Sequence, residues 1–167
     1  AIEDIIPDIW FAVGRFDDYP VSPYGSTSTD VVFELLQRTT GVMSEAQAAV
    51  DALSIHSGAD WAESDIPALY ATATGEGLGT YLAEQTEREA DDIRYPCFRW
   101  GAVPIIMLIT DAPFHNDFEE IYPYSGITPE PPDWGDAAGA LNEIHAKVMS
   151  VYSTGAEVQA HCEQMAW

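Results

Sequence analysis

The stretch VPIIMLIT, residues 103–110, decides the predicted fold of this chain. It is apolar up to its final threonine, and a continuous apolar run of this length is typical of a parallel strand covered on both faces. Asp111 follows at once, where such a strand would reach the edge of its sheet. We therefore expect a buried parallel strand with polar side chains at its carboxyl end, which is where α/β sheets bind their ligands.

The segments around this stretch alternate between strand and helix patterns. Strands are predicted over residues 9–16, 31–36 and 147–152, and helices over residues 44–53, 66–73, 136–146 and 156–167. This alternation predicts an α/β fold: a doubly wound, mostly parallel sheet with helices on both faces and one antiparallel edge strand. No repeat or shift in composition divides the chain, so residues 1–167 are interpreted as a single domain. The acidic segment 80–94 is interpreted as solvated surface.

The net charge of the chain restricts the classes of molecule that it is expected to bind. It has 6 basic and 28 acidic residues, a formal net charge of −22. Such a surface repels nucleic-acid phosphates and anionic lipids, so neither is expected as a partner. The apolar run at residues 103–109 is far shorter than the roughly 20 residues that span a bilayer, so membrane insertion is not expected either. The composition favours a cation or a basic protein as the partner.

Carboxylates follow or precede several predicted elements. Asp17 and Asp18 follow the first strand, Asp60 and Glu63 precede the second helix, and Asp111 follows residues 103–110. If they meet at one edge of the sheet, they repel one another unless a cation lies among them. Their oxygen atoms favour Mg²⁺ or Ca²⁺, with Mn²⁺ as an alternative. Two plainer interpretations stay open: Asp60 and Glu63 have the spacing of a helix-capping box, and Asp111 caps a turn.

His115 and the two cysteines are the remaining candidates for chemistry. His115 is interpreted either as a base beside a metal-bound water or as an exposed loop residue. The chain has no Gly-x-Ser-x-Gly elbow and no glycine-rich phosphate loop, so the sequence offers few candidates for catalysis. Cys97 and Cys162 are either buried thiols or one disulfide, which would indicate a location outside the cytoplasm.

Three segments together resemble a known domain. They are VGRFDDYPVSPYG at residues 13–25, ADWAESDIPAL at residues 59–69, and LITDAPFH at residues 108–115. In this order and spacing they resemble the von Willebrand factor A-type domain, and within it the A-type domain of integrin β subunits. The likeness covers residues 1–153.

The resemblance implies a function for individual residues. Glu63 and Asp111 would hold the ion of the metal-ion-dependent adhesion site. Asp18, Asp60 and again Glu63 would bind a neighbouring calcium ion, and His115 would lie at the ligand-binding side. The family binds protein ligands when a ligand carboxylate completes the shell of the exposed ion. The implied protein is a cation-dependent adhesion or recognition module, extracellular or on a cell surface.

The chain also departs from this family. Nothing corresponds to its first, central strand or to the Asp-x-Ser-x-Ser metal motif that follows it, and residues 1–7 resemble the end of the next helix. The last strand is also missing. We expect another chain, or another segment of the same polypeptide, to complete the sheet. The alternative is a structural subunit of a surface or secreted assembly, in which the fold is a scaffold and the metal site is incomplete.

Overall fold

The structure is a computed structural model that describes residues 5–6, 8–56, 58–86, 92–93, 95–153 and 155–166. The strands are β1 (Phe11–Arg15), β2 (Glu34–Thr40), β3 (Asp92–Ile93), β4 (Phe98–Arg99), β5 (Ile105–Thr110) and β6 (Lys147–Tyr152), and the helices are α1 (Met43–Asp51), α2 (Asp65–Thr74), α3 (Trp134–Glu143) and α4 (Ala156–Met165). Every element predicted from periodicity has an overlapping counterpart. The short pair β3–β4 has none among the predictions.

The pairing of the strands differs from the prediction. The described residues form three separate two-stranded sheets: β1–β2 and β3–β4 are antiparallel, and β5–β6 is parallel. The predicted doubly wound, mostly parallel sheet with helices on both faces is therefore wrong. Hydrophobic periodicity identifies a strand, but the partner of a strand is decided by long-range backbone hydrogen bonds that no local pattern contains.

Strand β5 is covered on one face only. Leu108 is 4% exposed and packs with Val148, α3 and α4 in one hydrophobic core. The other face of the β5–β6 pair, here named the open sheet face, is exposed and apolar. Its apolar residues are Ile105, Met107, Ile109, Met149 and Val151, and the exposed Lys147 lies at its end, opposite Ile105. The prediction that residues 103–110 are covered on both faces is wrong, because the helices packed on this pair all lie on the side of Leu108.

Helix α2 lies between two hydrophobic cores and is almost entirely buried. Pro67 lies in its first turn, where the missing N–H breaks no helical hydrogen bond. The helix ends at Gly75, whose φ of 77° is left-handed and favours a residue without a Cβ atom. This burial fixes the position of the loop that precedes the helix.

That loop connects the carboxyl ends of β1 and β5. The Glu63 N–H donates to the Pro113 carbonyl at 2.9 Å, and the His115 N–H donates to the Glu63 carbonyl at 2.9 Å. On the other side, the Ser64 N–H donates to the Asp17 carbonyl at 3.0 Å. The loops after β1, before α2 and after β5 therefore meet, although β1 and β5 belong to different sheets.

The acidic segment 80–94 is only partly solvated. Leu82 and Gln85 are buried, whereas Glu84 is exposed. Glu87, Glu89 and Asp91, which were assigned to the solvated surface, lie outside the described residues, as does most of the segment 1–7.

Both cysteines are described, and no disulfide joins them. Cys97 and Cys162 are buried thiols, and Cys162 packs in the same core as Leu108. None of the helices in the described part of the chain has the length and hydrophobicity of a transmembrane span.

Candidate metal centre

Asp18, Asp60 and His115 form a group that we name the buried cluster. One ligand atom of each lies within 4.8 Å of the others. The Nε2 atom of His115 is 3.4 Å from Asp18 Oδ2 and 3.3 Å from Asp60 Oδ2. The side chains of Asp18 and His115 are 1% and 3% exposed, but that of Asp60 is 34% exposed. The cluster is therefore closed towards the core and open to solvent at Asp60.

The two oxygens of Asp18 have different environments. Its Oδ1 atom accepts hydrogen bonds from the Tyr19 N–H, at 2.6 Å, and from the Tyr124 hydroxyl. Its Oδ2 atom faces His115 and accepts no hydrogen bond from the described residues. A buried oxygen without a donor costs about 1–3 kcal/mol, so this atom requires a proton or a cation.

The ring of His115 is fixed in orientation. Its Nδ1 atom is 2.8 Å from the Tyr122 carbonyl, and because a carbonyl only accepts, the hydrogen-bond network assigns the proton to Nδ1. The ring stacks on Tyr124 with centroids 4.1 Å apart, and the edge of Tyr24 packs against it. In the neutral ring, Nε2 then carries a lone pair that points to two carboxylates, and it makes no hydrogen bond within the described chain.

The charged form of His115 is subject to opposing effects. Burial disfavours the imidazolium, but the carboxylates of Asp18 and Asp60 and the Tyr122 carbonyl together raise the pKa of His115 above its ordinary value. A proton on Nε2 of His115 would lie between the two carboxylates. A divalent cation would satisfy the same atoms.

Two further carboxyl groups lie beside the cluster. Burial, followed by the negative charges of Asp18 and Asp17, raises the pKa of Glu63 to about 8. Asp65, in the first turn of α2, is completely buried, and that burial raises its pKa well above the usual range, opposed in part by Thr110. Carboxyl groups with such raised pKa values at one place are characteristic of functional sites, because they store protons that a cation displaces.

A second group of the same composition lies next to the first. We name it the flanking cluster: Asp17, Asp30 and His56. His56 Nδ1 is 3.1 Å from Asp17 Oδ1, and their side chains are 21% and 14% exposed. Asp17 and Asp18 are adjacent in the chain, so the two clusters share a boundary at this dipeptide.

The carboxylates of the flanking cluster accept hydrogen bonds from the protein itself, whereas His56 Nδ1, like His115 Nε2, makes no hydrogen bond within the described residues. Asp17 Oδ2 accepts from the Val31 N–H at 3.2 Å. The two oxygens of Asp30 accept from the Ser26 N–H at 2.7 Å and from the Thr29 hydroxyl at 2.8 Å. Its carboxylates therefore have donors without any ion.

The structure brings together four of the five residues selected from the sequence. Asp18, Asp60 and His115 form the buried cluster, and Glu63 lies beside it. Asp111 is exposed and contributes no ligand atom to either described cluster. The interpretation that Asp111 caps a turn has no support, since the Thr110 hydroxyl accepts from the Ala112 N–H instead.

The capping-box interpretation of Asp60 and Glu63 is wrong. Helix α2 begins at Asp65, and its N-cap, Ser64, makes no side-chain capping hydrogen bond. Asp65 was missed as a site residue because nothing in the local pattern indicates that this position, directly before the predicted helix, is completely buried. The flanking cluster was missed because Asp30 and His56 are far apart in the chain, although the pair of adjacent aspartates was a signal that two sites meet there.

No protein-family model matches the chain, and no curated protein matches it at a significant level. The class of site therefore has to be judged from the geometry. The cluster contains two carboxylates and one imidazole in a fixed orientation, and it is buried except at Asp60, which is partly exposed to solvent. These are features of divalent-cation sites.

Proposed function

We propose that this protein is a divalent-cation-dependent protein-recognition module, extracellular or on a cell surface, and not an enzyme. The observation that carries the proposal is the pair Asp18 Oδ2 and His115 Nε2. Both atoms are buried, face each other at 3.4 Å and lack a hydrogen bond within the described residues. A divalent cation bound between them would interact with both atoms at once.

The arrangement supports binding of one ion. Asp18, Asp60 and His115 offer one ligand atom each to a common point, and Glu63 adds a nearby negative charge. Like charges this close repel strongly at low dielectric constant, and a divalent ion converts that repulsion into attraction. Mg²⁺, Ca²⁺ and Mn²⁺ are the ions expected from the sequence.

The open side of the site supports recognition of an external carboxylate. Asp60 is one-third exposed, so a position on the ion faces solvent. A carboxylate that approaches a chain with a net charge of −22 is repelled unless a cation offsets the local field. Recognition of an acidic protein ligand at this point therefore depends on the ion.

A two-stage experiment tests the proposal. Calorimetric titration of the purified chain with Mg²⁺, Ca²⁺ and Mn²⁺ measures ion binding, and flat traces for all three would overturn the proposal. The Mn²⁺-loaded protein is then titrated with N-acetyl-aspartate amide while water-proton relaxation is followed. We expect the aspartate probe to displace a bound water and reduce relaxation, and the isosteric N-acetyl-asparagine amide to leave it unchanged.

One observation favours a second candidate, a structural subunit of an assembly. The open sheet face presents Met107 at 58% and Ile109 at 65% exposure, together with three further apolar side chains. Two copies that each carry −22 repel, so this candidate commits to an apolar segment of a basic partner chain.

A basic amphipathic peptide of leucine and lysine is the probe for this candidate. We expect Met107→Glu to weaken its binding at least tenfold and Val42→Glu to leave it unchanged, because Val42 is an equally exposed apolar residue (51%) outside the face. Equal effects of the two substitutions would reject the candidate. Self-association of the chain in sedimentation would assign the face to a second copy instead.

A further inference from the structure

We infer that the buried cluster selects Zn²⁺ over Mn²⁺, Mg²⁺ and Ca²⁺, and that His115 is the selecting ligand. The inference rests on the cation site of the proposed function and adds the class of ion. The oxygen-only ligand set expected from the sequence favours Mg²⁺ or Ca²⁺, and the structure changes that set by adding a nitrogen atom.

The nitrogen is prepared for a metal ion. The Nδ1–H group of His115 donates to the Tyr122 carbonyl at 2.8 Å, which leaves Nε2 as the ligand atom. Metal-binding histidines characteristically donate their other ring N–H to a carbonyl or carboxylate in this way, because it fixes the tautomer and the ring orientation. Imidazole suits zinc and other transition ions, whereas Ca²⁺ and Mg²⁺ bind oxygen ligands.

The distances between ligand atoms agree with a small tetrahedral shell. Nε2 of His115 lies 3.4 Å from Asp18 Oδ2 and 3.3 Å from Asp60 Oδ2. A tetrahedral ion with bonds of about 2.0–2.1 Å places neighbouring ligands about 3.3–3.4 Å apart. An octahedral Mg²⁺ with bonds of about 2.1 Å requires about 3.0 Å, so the atoms would have to move closer together.

The number of ligands separates Zn²⁺ from Ca²⁺. Calcium bonds of about 2.4 Å give a similar ligand spacing, but calcium takes about 6–8 oxygen ligands. The buried cluster offers two carboxylates and a nitrogen, with Glu63 next to them. Asp18 and His115 are closed to solvent, so few water molecules can complete a large shell on that side.

The ligands are also held in place before an ion arrives. Tyr124 donates its hydroxyl to Asp18 Oδ1 and stacks on the His115 ring, so one side chain orients two of the three ligands. Such support reduces the entropy that ion binding must remove and favours ions that require a defined geometry.

The test compares four ions on three proteins. Calorimetry with Zn²⁺, Mn²⁺, Mg²⁺ and Ca²⁺ is carried out on the wild type, His115→Asn and the matched control His56→Asn from the flanking cluster. We expect the wild type and the control to bind Zn²⁺ at least 30-fold more tightly than Mn²⁺, Mg²⁺ and Ca²⁺. We expect His115→Asn to lose at least 30-fold for Zn²⁺ but less than threefold for Ca²⁺.

A direct measurement on the wild type covers the case in which His115→Asn does not fold. Pulsed electron paramagnetic resonance of the Mn²⁺-loaded protein detects a nitrogen atom bound to the ion. We expect the spectrum to show hyperfine coupling between Mn²⁺ and the nitrogen of one imidazole. The absence of this coupling would overturn the inference.

The outcomes separate the inference from the function on which it rests. If none of the four ions binds, a proton alone satisfies the site and both proposals fail. If all four bind with similar affinity, or if His115→Asn weakens all of them equally, the cation site stands and the selection by His115 is rejected.

Discussion

The buried cluster and the flanking cluster contain the same residue types, two aspartates and one histidine, and begin at adjacent positions, Asp18 and Asp17. They differ in what satisfies their carboxylates. The flanking cluster takes its hydrogen bonds from backbone N–H groups and a threonine hydroxyl. The buried cluster leaves Asp18 Oδ2 and His115 Nε2 without hydrogen bonds from the described residues. A cluster of carboxylates points to a cation only when the protein itself does not supply their partners.

The two clusters also differ in how deeply they are buried. Asp17 and His56 are 14% and 21% exposed, so their side chains keep some contact with solvent. Asp18 and His115 are 1% and 3% exposed, so charges there interact strongly and each uncompensated charge is costly. The same residue types therefore differ between the two places in how much an unpaired charge costs.

The largest expected effect on ion affinity comes from substituting an aspartate of the buried cluster, compared with the same substitution in the flanking cluster. Asp18→Asn removes a ligand oxygen, and we expect at least about a 100-fold loss of Mn²⁺ affinity, since the change removes a direct ligand and exceeds typical outer-shell effects of about 10–100-fold. Asp17→Asn, the neighbouring residue in the flanking cluster, is expected to change the affinity less than threefold. Calorimetry measures both, and similar losses would show that the two clusters act as one site.

A smaller effect on ion affinity is expected when a residue that orients the ligands, but does not bind the ion, is changed. Tyr124→Phe removes the hydroxyl that donates to Asp18 Oδ1, and we expect Mn²⁺ affinity to fall about tenfold, within the range of outer-shell substitutions. Tyr24→Phe is the matched control, because Tyr24 packs on the same His115 ring but its hydroxyl bonds to Ser125. If both substitutions weaken binding equally, the contribution comes from ring packing and not from the hydroxyl.

The smallest effect is expected from Glu63→Gln in the protein freed of metal by chelator. The folded-state pKa of Glu63, about 8, lies above its ordinary value of 4.5, so folding takes up a proton and stability falls as the pH rises from about 4.5 to about 8. Glutamine imitates the protonated form at every pH. We expect it to raise the melting temperature by a few degrees above pH 8 and to leave it unchanged near pH 4.

Thermal unfolding at the two pH values checks this expectation. An equal gain at both would mean that the carboxyl group of Glu63 does not carry the pH dependence. A gain that disappears when Mn²⁺ is added would place the Glu63 charge close to the bound ion.

The elements of this chain were largely predictable from local patterns. Strand β6 (Lys147–Tyr152) matches its predicted range, and α2 begins and ends close to the predicted residues, at Pro67 in its first turn and at Gly75. Side-chain periodicity and the residues that begin and end helices act over a few positions, so they can be recognised in a single sequence. The pairing of β5 was not predictable in the same way, since an apolar run does not show whether one face or two will be covered.

The position of the site could be predicted from the sequence, but the exact set of residues that form it could not. Residues at strand ends were expected to meet, and Asp18, Asp60, Glu63 and His115 do so. Asp111 follows the most apolar strand yet is exposed, whereas Asp65, in a helix, is completely buried. Both differences depend on how α2 packs between two cores, which involves residues from the whole chain.

By itself, the sequence determined the acidic surface, the order of strands and helices and most of the residues that meet at the buried cluster. These follow from composition and short-range periodicity. The tertiary structure decided that β1–β2 and β5–β6 are separate sheets, that Asp17 and Asp18 enter different clusters and that His115 turns Nε2 towards two carboxylates. The physical reason is that strand partners, burial and hydrogen-bond donors come from residues distant in the chain, and these determine whether a carboxylate is satisfied or left for an ion.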